Sequence, residues 1–157
     1  MSGKIAVSTQ IMIIMIMVMV TTASAQPLRG WKGSGGWGGG SQYQKMYDVK
    51  TVGVVTGTIE SVETFMPVRG MSIGVLLILK TEDGMIAVHL GPVWYIERQD
   101  IRFDKGDTVE ARGSKLMFDS KPAIIAAEVK KNEDVLRLRD ENGVPHWAGS
   151  EIAGQAH

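Results

Sequence analysis

Residues 51–64 read TVGVVTGTIESVET, and this stretch decides the architecture. β-Branched side chains dominate it, which is a strand signal. Gly57 interrupts it, and an internal strand glycine marks a bulge or a barrel bend. A strand this long and bent suits an element shared by both halves of a closed sheet. Further strands follow downstream. Met71 to Thr81 reads as the second, with Val75, Leu77 and Leu79 on one side and Leu76 and Ile78 on the other. Glu82-Asp83-Gly84 carries an Asp-Gly hairpin signal. Met85 to Leu90 is the third strand, in which Ile86, Val88 and Leu90 alternate with Met85, Ala87 and His89.

Gly91-Pro92 stops that strand, and Pro92 to Asp100 (PVWYIERQD) predicts a short helix with proline in its first turn. Thr108 to Gly113 is the fourth strand and Pro122 to Lys130 the fifth, with Asp119-Ser120-Lys121 turning between them. A last short strand, Val135 to Arg139, alternates Leu136 and Leu138 with Arg137 and Arg139. Three strands, a helix, then two strands is the element order of an oligonucleotide/oligosaccharide-binding (OB) barrel. The expected fold class is therefore all-β with one short helix: a five-stranded Greek-key OB barrel plus a C-terminal β extension. An open β-sandwich is the competing architecture. The barrel is preferred because closure removes exposed edges. The domain is expected over 46–149, with a disordered tail at 150–157.

Upstream, residues 1–25 read as a signal peptide. Lys4 supplies the positive start, Ile11 to Val20 is an unbroken apolar run, and Ala23-Ser24-Ala25 sets cleavage before Gln26. The run is short of the ~20 apolar residues of a membrane span. An uncleaved anchor is the rival reading. The expected location is the periplasm or the exterior, with no transmembrane span in the mature form. Residues 26–45 read as a flexible tether, because Gly30 to Ser41 holds seven glycines in twelve positions. Trp31 and Trp37 within it either dock on the domain or form a sticky arm for a partner, membrane headgroups or a sugar face. Tyr43 and Tyr47 lead into the folded body.

Composition excludes more than it selects. The chain of 157 residues has no cysteine, so disulfides, thiol catalysis, haem attachment through CxxCH and cysteine-ligated metals are ruled out. Basic and acidic residues balance at 17 each, and loss of Lys4 with the leader leaves a slight negative charge. That argues against nucleic acid, as does the absence of aromatics on strands two and three. Five of the ten methionines belong to the leader.

Specific strings resemble a known group. Val88 to Glu97 (VHLGPVWYIE) and Leu136 to Trp147 (LRLRDENGVPHW), within a likeness spanning Gln42 to Gly149, resemble a family of small exported bacterial OB-fold proteins of unestablished function. More distantly the chain is similar to periplasmic bacterial OB-fold stress proteins. The resemblance implies that the segment bearing Pro145 and Trp147 packs back on the barrel, and it transfers no catalytic residues.

Catalysis is not expected. His89 has no serine-elbow or carboxylate partner in sequence, and His146 and His157 lie near the C-terminus. The chain reads as a non-catalytic binding module for a protein partner, small ligand or envelope component. Its expected surface is His89, Trp94 and Tyr95, with Trp31 and Trp37 on the arm. The alternative is a periplasmic copper-type protein, in which Met71, Met85 and His89 supply soft ligands. A further alternative, single-stranded nucleic acid or oligosaccharide binding, rests on fold analogy alone.

Overall fold

The glycine-bearing strand forms as β1, Val52–Phe65. In the computed structural model, which describes residues 34–148, β1 is shared between two partners. Val52 to Thr58 pair antiparallel with β4 (Thr108–Phe118), and Thr58 to Phe65 with β2 (Gly74–Thr81). The changeover lies at the glycine. A Cβ on Gly57 would stand 2.6 Å from the carbonyl oxygen of Lys80, so only glycine lets the two backbones approach this closely. The register then slips between Ile59 and Ser61, a bulge that bends the strand further.

The other strands are β3 (Gly84–Pro92), β5 (Lys121–Lys131) and β6 (Asp134–Arg137). Their order is β3-β2-β1-β4-β5-β6, and a parallel pairing of Ala87 to His89 with Ala123 to Ile125 joins β3 to β5. The ring β1-β2-β3-β5-β4 is thereby closed. Five strands have OB connectivity, and β6 is the C-terminal extension, antiparallel on β5. A short helix, α1 (Val93–Ile96), lies between β3 and β4. Ile59, Leu77, Leu79, Val88, Val109, Ala111, Ile124 and Val129 are buried, and alternation along the strands puts such residues on one face.

Boundaries differ from the sequence reading in instructive places. β4 runs five residues past Gly113. A Cβ there would lie 2.0 Å from the Ile125 carbonyl oxygen, so this glycine marks a close strand approach and not a stop. α1 is one turn, with Glu97 to Asp100 in turns and bends. β2 begins at Gly74, after a loop from Met66 to Ile73. At the β2–β3 hairpin neither Glu82 nor Asp83 has positive φ, and Gly84 (φ 116°) opens β3. The glycine therefore follows the two-residue turn. The β4–β5 turn is the reverse case: Asp119 and Ser120 both adopt positive φ, 48° and 63°, a conformation that favours Asn-Gly. Ser120→Gly is expected to raise stability by about 1 kcal/mol, read as a higher denaturation midpoint at unchanged slope.

The leader at 1–25, the start of the tether with Trp31, and the tail at 150–157 lie outside the described residues. Among the described residues, no helix is long and apolar enough to cross a membrane.

Candidate functional site

The glycine-rich segment is built into the fold from residue 34 onward. Trp37 and Tyr43 are each 1% exposed. Trp37 lies against Gly74, where a Cβ would come within 2.4 Å of its ring. Its indole N–H donates to the Ser72 carbonyl (2.9 Å), and Ser72 N–H donates to the Gly35 carbonyl (2.7 Å). The tether reading is thus corrected over 34–45. The glycines supply the tight turns that let two large aromatic rings reach the barrel, and ring burial outweighs the ordering entropy. The segment joins β1 through two 3-10 turns, Gln44–Met46 and Val49–Thr51. Asp48 N–H donates to the hydroxyl of the buried Ser114 on β4.

The closing segment after β6 covers the neighbouring region. Trp147 is fully buried, packs on Gly91, and donates its indole N–H to the Trp37 carbonyl at 2.9 Å. Its ring lies 5.2 Å from that of Tyr95 and 6.2 Å from that of Trp37. This is the packing that the resemblance implied for Trp147. The turn before it is held by a side chain of its own, the Asp140 carboxylate, which accepts from the Asn142 and Val144 N–H groups.

Two polar groups sit among these rings. His89 on β3 is 2% exposed, with Phe65 at 4.4 Å and Phe118 at 4.8 Å between ring centroids. Its Nδ1 shares one hydrogen bond with the Tyr43 hydroxyl, 2.9 Å away. Burial, reinforced by the Arg139 charge, pushes its pKa down to about 4, so the imidazole is neutral at neutral pH. Burial chiefly pushes the Tyr43 phenol well above its ordinary range. The second group is Arg139, which alternates with Leu138 in sequence and is 4% exposed. A strand-period reading fails here because β6 ends at Arg137, and Arg139 makes only an isolated bridge to Pro145. Its guanidinium donates to Gln44 Oε1 (2.5 Å) and the Gly143 carbonyl (3.0 Å). It also lies 5.2 Å from the ring centres of both Tyr47 and Trp147. Gln44 Nε2 donates to the same Gly143 carbonyl at 2.8 Å. Among the described residues no carboxylate forms an ion pair with Arg139. The cation is held by π faces and carbonyl dipoles, and it ties the N-terminal segment to the closing turn.

The sequence-predicted surface divides accordingly. Trp94 and Tyr95 are half-buried on α1, while His89 and Trp37 are internal. The soft-metal set does not converge. Met85 is 50% exposed beside the β2–β3 hairpin and pairs with Lys80. His89 is four residues further along the strand, roughly 13 Å at about 3.3 Å per residue, too far for a shared ion at ~2–2.4 Å. Met71 is buried under the turn at Gly36. No group of three or more histidine, aspartate or glutamate side chains among the described residues is placed to hold a metal ion. Burial makes the methionines differ chemically. Peroxide treatment with peptide mass mapping is expected to oxidise Met117, Met66 and Met85, which are 65%, 54% and 50% exposed, before Met71.

The sequence model of the MamS/MamX magnetosome protein family matches residues 51–136, more than half of the chain. That match takes in the barrel and most of β6 and leaves out both covering segments. No curated protein sequence matches the chain.

Proposed function

We propose, for a chain that belongs to the MamS/MamX magnetosome protein family, the role of an exported, non-catalytic interaction module. It recognises a partner protein, a small ligand or an envelope component at the magnetosome. The observation carrying this reading is the internal use of the polar centre. The His89 imidazole is hydrogen-bonded to Tyr43, and the Arg139 guanidinium is held by Gln44, Gly143 and two rings. Acid–base chemistry needs such groups within reach of substrate, and these are buried, His89 among Tyr43, Phe65 and Phe118 and Arg139 against Tyr47 and Trp147. Leu76 and His89, on the paired strands where an OB barrel would stack bases, are buried as well. Export is supported by the leader pattern at Lys4 to Ala25, and by the likeness of Val88 to Glu97 and Leu136 to Trp147 to exported OB-fold proteins.

The test is isolation of magnetosomes from cells making the tagged full-length chain. The protein is expected with that fraction, beginning at Gln26 and cross-linked to at least one neighbour. Recovery only in the cytosol, with its leader intact, would contradict the proposal.

A further inference from the structure

The barrel leaves one strand edge open. On the side of β1 facing β4, backbone bonding ends at Ile59, whose N–H donates to the Asp107 carbonyl and whose carbonyl accepts from Gly106 N–H, both at 2.8 Å. From Ser61 to Phe65 β1 pairs with β2 alone. No other strand among the described residues occupies its far side. This edge is roughly 17 Å long at ~3.3 Å per residue. Val62 lies opposite Leu77 and Thr64 opposite Val75, so both project on one face, and Glu63 projects on the other. Val62 is 45% exposed, and Met66 and Ile73 flank the base of the loop beyond the strand at 54% and 50%. Glu60 and Glu63 form no ion pair among the described residues. Natural sheets blunt open edges with lysine, proline, bulges or other charges; here the bulge lies before Ser61 and Pro67 after Met66, and between them Glu63 is the one charge, with no lysine or proline.

We infer that Ser61–Met66 is a docking edge for an extended segment of a partner protein that alternates basic and apolar residues. Main-chain hydrogen bonds supply the affinity in such strand addition, and alternate side chains supply the specificity. The apolar positions meet Val62 and Met66, and the basic ones meet Glu60 and Glu63. Charge argues against a second copy of this chain. Antiparallel self-pairing about Val62 would set Glu63 opposite Ser61 and Glu60 opposite Thr64, gathering four carboxylates on one short ladder with no cation to offset them. The inference rests on the interaction reading and names its surface.

The experiment uses the labelled mature chain from Gln26 and a blocked octapeptide alternating lysine and valine. Amide exchange is expected to slow at Ser61 to Met66 as the peptide saturates. Backbone N-methylation of alternate peptide residues, or the double change Glu60→Lys and Glu63→Lys, should weaken binding about ten-fold or more. The double variant should instead prefer a glutamate–valine peptide, with its amide spectrum otherwise unchanged. Absence of binding at millimolar peptide, indifference to charge, protection elsewhere, or dimerisation of the chain through this edge would each overturn the inference. If it falls while the protein still fractionates with magnetosomes, the interaction reading stands without this surface. If both fail, the reading itself falls.

Discussion

Trp37→Ala is expected to lower the unfolding free energy by about 3–5 kcal/mol. The magnitude follows from what the indole touches. Tyr43, Phe65 and Trp147 have ring centroids 5.0, 6.1 and 6.2 Å from it, and it is 1% exposed. Truncation leaves a cavity over Gly74, removes the bond to the Ser72 carbonyl, and loosens the segment whose carbonyl receives the Trp147 indole N–H. Denaturant titration should show a large fall in midpoint at nearly constant slope. Met46→Ala, made at an exposed position of the same segment, should change stability by less than about 0.5 kcal/mol. Equal small effects at both positions would return residues 34–45 to the status of a tether.

Acid should destabilise the fold through His89 by about 3 kcal/mol. The ordinary histidine pKa of 6.5 falls to about 4 in the fold, first through burial and then through Arg139. Above pH 6.5 the residue is neutral in both states and contributes no pH dependence. As pH falls through 6.5, the unfolded chain takes up the proton and the folded chain does not, so stability declines. The decline continues to about pH 4, where the folded state protonates too, and then levels off. His89→Phe should flatten the profile across this window, even if it shifts absolute stability. A parallel slope in the variant would assign the acid sensitivity to other groups.

The barrel was legible because its signals are local and periodic. Gly57 within Thr51 to Thr64, the alternation around Val88, and the lone helical segment after Pro92 place five strands and α1 in order. Parity along β3 likewise puts Met85 and His89 on one face, yet gives them no common depth. Met85 ends in solvent, and His89 lies under Tyr43. Burial of a strand residue on the outer face depends on what later covers it. Here the cover comes from residues distant in sequence, Tyr43 in the N-terminal segment, Phe65 at the end of β1 and Phe118 at the end of β4. Seven glycines in Gly30 to Ser41 favour low intrinsic order, but Trp37 and Tyr43 are held by tertiary contacts. Trp37 and Tyr43 in bare backbone were the available sign. Arg139 gave none, since its alternation with Leu138 suits a solvent-facing side chain. Only the end of β6 and the turn at Gly143 bring it inward.

His89 is an internal member of the aromatic centre, neutral at neutral pH, and the proposed non-catalytic role requires that it neither bind metal nor exchange protons with a substrate. Nitrogen-detected NMR of the imidazole through a pH titration, with and without one equivalent of cuprous ion, tests this directly. A single neutral imidazole at neutral pH, titrating near 4 and unmoved by copper, is the predicted result. Titration close to the ordinary 6.5, or a copper-dependent shift lost in Met85→Leu, would contradict it.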